Sequence, residues 1–404
     1  MVAFTFPGQG TQRPGMGGPW AEHPSWELVG EVSETAGRDV AHLLLHAEAD
    51  ELRATRNAQL ATFTLSLVVL DAVERLGLAP AACAGHSLGE YTALVAGAAL
   101  SLEDGVRLVV ERGDAMQHAA DERPGTMAAV LGLDDDAVDA ACRRADGGAW
   151  VANYNAPEQV VVAGTKDAVS TAGAVAKELG ARKIMPLQVG GAFHTPLMQP
   201  ARDRLRKALK EASFRPPEVA ITANVDARPH EGAEEWPSLL SAQLCSPVRW
   251  RQTLAQLVDS GIQTVVELGP GGVLTGLARR SQPTLHALAV ASPEDLDGLF
   301  DTLAGGGHAT DGRLPQGERL HLSERLVLSP TTGVFSPSPA GDAAGAEGEV
   351  VGVGDLIGQV KAGPAGEVEV RSAFSGWLMG LMVMPGERVT AGQPVAWLQT
   401  TGAS

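Results

Sequence analysis

The sequence predicts an α/β layer fold over residues 1–295 followed by a small all-β domain, and three observations carry that expectation. Short β-like runs such as VAFTF (2–6) alternate with longer helical stretches as far as residue 295. Residues 126–190 hold a block of their own: MAAVL, a helical stretch near Asp135 to Arg144, WVANYN, QVVVAG, a second helical stretch near Asp167 to Leu179, then RKIMPLQV. That βαββαβ order is the ferredoxin-like arrangement, so the block reads as a small subdomain inserted in a larger one. The third observation is a repeat near the C-terminus. SPTTGVF (329–335) echoes SAFSGWL (372–378), and GEVVGVGDLIGQV (348–360) echoes GERVTAGQPVAWL (386–398). Two copies of a short strand set with turn glycines predict a pseudo-twofold β-barrel over residues 326–404. Val351, Ile357, Val389, Val395 and Trp397 are expected in its core, and PSPAGDAAGAEGE (337–349) as a loop of its first copy. Between the two domains, residues 296–325 are polar and glycine-rich and read as a linker.

Bulk properties narrow the function classes. The net charge of −17 disfavours a nucleic-acid partner, and it repels acidic proteins unless a local basic patch overrides it. MVAFTFPGQG lacks a basic segment followed by an apolar one, and the most apolar run, Phe63 to Val73, is broken by Asp71 and too short to span a bilayer. The expectation is a cytoplasmic protein with no membrane partner. Cys83, Cys142 and Cys245 are widely spaced, so neither a disulfide framework nor a metal site is expected.

GHSLGE (85–90) is the segment that bears chemistry. G-x-S-x-G alone is a weak signal, but here it follows the apolar run Ala81 to Ala84 and opens the helix-like EYTALVAGAAL. In that strand–turn–helix setting a serine sits on a sharp turn with its Oγ exposed, which makes Ser87 the candidate nucleophile. The Leu88 N–H then points from a helix N-terminus, where a developing oxyanion is stabilised. FPGQGTQ (6–12) follows the first strand, at the sheet edge where α/β folds present their functional loops, and offers Gln9 as the second donor. A serine hydroxyl needs a base whose pKa lies near neutrality, which points to histidine. His194, just after the inserted block, is the candidate, and His86 is its rival, although a residue adjacent to the nucleophile points away from it on a tight turn. No acid stands out to orient either ring.

Five ordered segments, FPGQGTQ, GHSLGE, the RGDAM around Arg112, GAFHTPLM around His194, and QLCSPVRW, resemble the malonyl-CoA:acyl carrier protein transacylase family over residues 1–295. The resemblance implies a hydrolase-like large subdomain carrying the ferredoxin-like insert, and a Ser87–His194 dyad. It implies oxyanion donors at Gln9 and Leu88, and the backbone carbonyl of Gln243 orienting the imidazole. It implies that Arg112 grips the free carboxylate of malonyl, whereas an arbitrary helical arginine between Glu111 and Asp114 would read as surface. Phe193 is expected to narrow the acyl pocket, with His86 and Asn155 lining it and Gln12 nearby. The implied chemistry uses malonyl-CoA and no metal or redox cofactor, with an acyl carrier protein as partner. Arg202, Arg206 and Lys210, spaced i, i+4, i+8, offer that acidic partner a basic helix face. Two alternatives use the same serine and histidine: a serine hydrolase that edits acyl thioesters, and the acyltransferase component of a malonate decarboxylase.

The C-terminal repeat resembles biotinyl or lipoyl carrier domains, whose two halves meet at a hairpin bearing a modified lysine. Alignment of the repeats places the tip within VKAGPAGEVEV (360–370), at Pro364 or Ala365, and the only nearby lysine, Lys361, comes too early. Neither biotin nor lipoate is therefore expected. The domain reads as a degenerate carrier fold retained for assembly, with a synthase or carboxylase as the implied kind of partner.

Overall fold

The structure, a computed structural model, describes residues 1–304, 324–338, 350–362, 366–372, 374 and 376–399. It divides into two compact units, one of Met1–Ala72 with Pro80–Gly306, the other taking in Val73–Ala79 and the chain after Gly306.

In the first unit β1 (Val2–Phe6) and β2 (Ala82–Gly85) pair in parallel, and both are almost wholly buried, as strands covered by helices on two faces must be. Four strands, β3 (Thr126–Leu131), β4 (Ala149–Ala156), β5 (Gln159–Gly164) and β6 (Lys183–Pro186), then form a separate antiparallel sheet in the order β4-β5-β3-β6. With helices Asp135–Arg143 and Lys166–Glu178 between them, they complete the ferredoxin-like topology. The last strand of this block ends at Pro186, shorter than the run RKIMPLQV suggested. The chain then returns to the large sheet with β7 (Ala220–Thr222), β8 (Pro229–His230), β9 (Thr264–Leu268) and β10 (His286–Val290), giving the order β10-β9-β1-β2-β7-β8. β1 and β2 are central there, so the loops leaving them meet at the carboxyl edge of the sheet. The apolar run from Phe63 is the middle of a buried helix, Thr55–Glu74, packed on all sides rather than amphipathic.

A helix at Glu294–Ala304 occupies the start of the expected linker. Asp295 accepts hydrogen bonds from the N–H groups of Ala291 and Ser292, both at 2.9 Å, and Leu296 and Leu299 are buried on one side. Local capping and two apolar positions suffice where composition alone suggested none.

The second unit holds β11 (Glu324–Leu328), β12 (Gly333–Pro337), β13 (Val350–Val351), β14 (Leu356–Lys361), β15 (Glu367–Arg371), β16 (Gly376–Leu381), β17 (Arg388–Val389) and β18 (Pro394–Gln399). They make two antiparallel sheets, β11-β18-β16-β13 and β15-β14-β12-β17. Exchanging each strand of the first repeat for its counterpart in the second maps one sheet onto the other, so the internal symmetry of the sequence is the symmetry of the fold. Both sheets contribute to one core that includes Val351, Ile357, Val389 and Val395. Trp397 was expected there and is only half-buried. The core position is its neighbour Leu398, the counterpart of Val360, because β14 and β18 each carry a register shift, β14 against β15 and β18 against β11, that displaces the simple alternation. The expected hairpin tip at Pro364 and Ala365 lies outside the described residues.

Candidate active site

Ser87 stands between the end of β2 and the helix Gly89–Ala96 with φ 53°, a left-handed conformation rare for a non-glycine residue. The surrounding contacts hold it there. A Cβ on Gly85 would lie 1.9 Å from the carbonyl of Gly89, and one on Gly89 would lie 2.0 Å from the carbonyl oxygen of Phe6. Only glycines permit strand, turn and neighbouring loop to approach so closely. The Ser87 N–H donates to Asn224 Oδ1 at 2.7 Å, Asn224 Nδ2 donates to the Gly85 carbonyl at 2.7 Å, and Gln243 Nε2 donates to the Ser87 carbonyl at 2.8 Å. Gly89→Ala is expected to destabilise the first unit by about 3 kcal/mol, since the obstacle is backbone and cannot turn aside. Urea denaturation against the wild type measures it, and an unchanged midpoint would refute the close approach.

His194 is brought opposite by the turn after the inserted block, itself at φ 62° and buried. Its Nε2 lies 2.7 Å from Ser87 Oγ and its Nδ1 lies 2.8 Å from the carbonyl oxygen of Gln243. A carbonyl only accepts, so Nδ1 carries the proton and Nε2 is left as acceptor for the serine hydroxyl. Burial, then the nearby Arg112 charge and His86, push the His194 pKa down to about 3 against the opposing pull of the Gln243 carbonyl. The ring is therefore neutral around pH 7.

Arg112 faces inward from the helix Leu102–Glu122 and is 1% exposed. Its sequence neighbours do not hold it, because Glu111 pairs with Arg204 and Asp114 with Arg38. Instead Nη1 donates to Gln59 Oε1 at 2.7 Å, and Nη2 donates to Ser87 Oγ at 3.0 Å and Gln243 Oε1 at 2.9 Å. The Tyr91 ring lies 5.4 Å from the guanidinium carbon, and Nε is buried with no partner. Among the described residues no carboxylate forms an ion pair with it.

Loop 6–12 lies against the nucleophile turn: the His86 N–H donates to the Phe6 carbonyl at 3.0 Å, and a Cβ on Gly8 would sit 2.6 Å from the His86 carbonyl oxygen. Neither the Gln9 nor the Leu88 N–H has an acceptor among the described residues. Gln12 shapes this loop, its Oε1 accepting from the Gly10 N–H at 2.7 Å. His86 is tied to the inserted subdomain, its Nε2 lying 2.9 Å from Asn155 Oδ1 and 3.2 Å from Asn153 Nδ2, with its ring edge-on to Trp250. Burial lowers its pKa. Ser87 Oγ thus bonds to His194 and not to His86. Phe193 is buried one residue before the imidazole, its ring edge against Gly191.

Three participants escape a sequence reading: Gln59, Asn224 and Glu90. Glu90 is 1% exposed, and its carboxylate accepts from the Asn224 N–H at 2.7 Å and from Gln243 Nε2. The one visible signal was a lone charge opening an otherwise apolar helix. The basic face of helix Gln199–Glu211 is partial, since Arg202 is half-buried while Arg206 and Lys210 are exposed.

Residues 3–296 match the acyl transferase domain family. The chain is 38% identical over 307 residues to a malonyl CoA-acyl carrier protein transacylase of Bacillus subtilis, covering 75% of this chain and 97% of that protein. It belongs to the malonyl CoA-acyl carrier protein transacylase family. Identity to the Escherichia coli member is 41% over 296 residues, 72% of this chain and 96% of that one. Among solved structures of the family, the Xanthomonas oryzae transacylase superposes with a TM-score of 0.72 at 41% identity, covering 74% of this chain and 98% of its own. A malonyl-transacylase solved in complex with a type II polyketide synthase acyl-carrier protein superposes equally well, with a TM-score of 0.72 at 37% identity over 74% of this chain and 99% of that one. The family match stops at residue 296, before the strands β11 to β18. No described helix is long and apolar enough to cross a membrane, and no described cluster of His, Cys, Asp or Glu is arranged to hold a metal ion.

Proposed function

We propose that the protein transfers malonyl from malonyl-CoA to the phosphopantetheine thiol of an acyl carrier protein, in fatty acid or polyketide synthesis. The observation that carries this reading is Arg112: a buried cation 3.0 Å from Ser87 Oγ, with no carboxylate in a direct ion pair among the described residues, the nearest acid, Glu90, reaching it only through the Gln243 carboxamide. Leaving such a group uncompensated is costly, and a substrate carboxylate would satisfy it bidentately. A general esterase has no use for it.

Two half-reactions follow. In the first, Ser87 Oγ attacks the thioester carbonyl carbon while His194 Nε2 takes its proton, and the Gln9 and Leu88 N–H groups receive the oxyanion. Collapse breaks the C–S bond, and the departing CoA sulfur takes the proton from His194, leaving malonyl-Ser87. In the second, the carrier thiol gives its proton to His194 and attacks the ester, and Ser87 leaves with that proton. The Gln243 carbonyl fixes the tautomer throughout but supplies no full negative charge, which suits a thioester better than an amide. His86, Asn155 and Phe193 frame the acyl pocket in this reading. Both substrates are water-soluble, and the reaction is assigned to the cytoplasm without a cofactor. Arg206 and Lys210, more than Arg202, are the cations available to an acidic carrier on a chain of net charge −17. The comparison that tests the reading is steady-state release of free malonate against formation of malonyl-carrier. Transfer is expected to dominate, and release as the main product would favour the thioester hydrolase. If the protein instead served a malonate decarboxylase, only that system's carrier would be accepted.

The domain assignment is part of the proposal: an acyltransferase domain over 1–295 with its insert at 126–190, and a biotinyl/lipoyl-like domain over 326–404 that has lost its attachment lysine. The twofold exchange of strands between the sheets supports it, as does Lys361, which is exposed but belongs to β14 opposite Glu367 and so precedes the expected attachment position. Cutting the chain after Leu320 is expected to leave transfer to a free carrier protein largely intact while altering oligomeric state or association with a synthase or carboxylase partner. Light scattering and transfer assays separate the two effects. Lost transfer in a folded truncation, or a biotin or lipoyl mass on Lys361, would contradict it.

A further inference from the structure

Glu90 plays no part in the steps above, yet its two hydrogen-bond partners organise the rest of the site. Asn224, bonded to Glu90 Oε1 through its N–H, holds the Ser87 N–H and the Gly85 carbonyl. Gln243 does three things at once: its backbone carbonyl meets His194 Nδ1, its Oε1 accepts from Arg112 Nη2, and its Nε2 donates to the Ser87 carbonyl and to Glu90 Oε2. The two ends of a carboxamide are nearly equal in shape, so neighbours alone decide which way it faces. Nε2 sits between two acceptors, and the flipped amide would set its NH2 against the guanidinium.

We propose that Glu90 is a positioning residue: its carboxylate locks the Gln243 carboxamide and so aligns the Arg112 clamp and the His194 base together. The clamp half of this proposal rests on the malonyl-transfer reading, whereas the lock on the base does not. Protonation turns one oxygen of Glu90 from an anionic acceptor into a hydroxyl that accepts weakly and has its own proton to place near the Asn224 N–H or Gln243 Nε2, so the acid form loosens the lock. Glu90→Gln makes that mismatch permanent. Burial, with a contribution from Asp226 beyond β7, raises the Glu90 carboxyl to about 7 against Asn224, Gln243 and Arg112, which lower it. Tyr91, beside it on the same helix, also faces this charge, and burial pushes its hydroxyl further up. His194, down at about 3, titrates well below this range.

Two probes read the two halves. Phenylmethanesulfonyl fluoride labels an activated serine without offering a carboxylate, so its rate reports the base, while the malonyl-CoA to acetyl-CoA ratio of kcat/KM reports the clamp. In Glu90→Gln the labelling rate should fall ~10-fold and the substrate ratio a further ~10-fold, the scale of one misdirected buried hydrogen bond. Labelling of the wild type should fall as pH drops through about 7, and the variant should lack that inflection. A wild-type labelling rate and ratio in Glu90→Gln would overturn the proposal, as would equal losses that track its unfolded fraction by circular dichroism. If the variant does not fold, the wild-type pH profile decides, and a labelling rate that stays flat from above neutrality down through the ordinary carboxylate range refutes the lock. A wild type that is labelled but takes no malonyl defeats the transfer reading while the labelling arms still judge the lock.

Discussion

In the His194→Ala variant, malonylation of Ser87 is expected to slow by roughly 10⁴-fold, and in Ser87→Ala to vanish. His194 Nε2 is 2.7 Å from Ser87 Oγ and is the acceptor that the Gln243 carbonyl leaves free, while His86 is committed to Asn153 and Asn155 on β4. Among the described residues no second base stands in the right place. Rapid-quench acylation measures the effect, and a near-normal rate in His194→Ala would transfer the role elsewhere. The same substitution leaves a thermodynamic signature. His194 is held at about 3 in the fold against 6.5 in the unfolded chain, so the folded state binds fewer protons between those values. Its contribution to stability is complete above about 6.5 and is lost as pH falls toward 3. His194→Ala should therefore flatten the acid side of the stability profile as well as slow the chemistry.

Arg112→Ala is expected to lower kcat/KM for malonyl-CoA by ~10³-fold or more relative to its effect on acetyl-CoA. Only malonyl has a carboxylate to lose. In the wild type, acetyl-CoA leaves the guanidinium desolvated and unpaired. A malonyl carboxylate would neutralise it and also remove part of the charge that depresses His194, so the clamp favours the right substrate in reactivity as well as in binding. Competition between the two thioesters gives the ratio directly. Equal losses for both would make Arg112 a support of the fold, which its bonds to Gln59 and Gln243 would then explain.

How far the sequence reveals this site depends on how local each feature is. The nucleophile turn is legible because strand, glycines and helix are contiguous, and the C-terminal symmetry because duplication preserves spacing over thirteen residues of each copy. The ferredoxin-like block is legible for the same reason. Arg112 is not legible from its own helix, where Glu111 and Asp114 make it look solvated. Those acids find Arg204 and Arg38 through tertiary contacts that no periodicity encodes. Glu90, Asn224 and Gln243 lie on three segments that meet only in the fold, and none has a spacing that signals the others. Trp397 shows the opposite failure: the repeat is present in the fold, but register shifts in β14 and β18 move the buried position to Leu398.

The central claim is that Ser87 carries malonyl between two thiols, and intact mass spectrometry of a single turnover tests it most directly. After mixing with malonyl-CoA the wild type should gain one malonyl group, mapped to the peptide containing Ser87. Addition of a phosphopantetheinylated acyl carrier protein should then remove that mass and place it on the carrier. Absence of the adduct, or its release as free malonate with the carrier unmodified, would contradict the account.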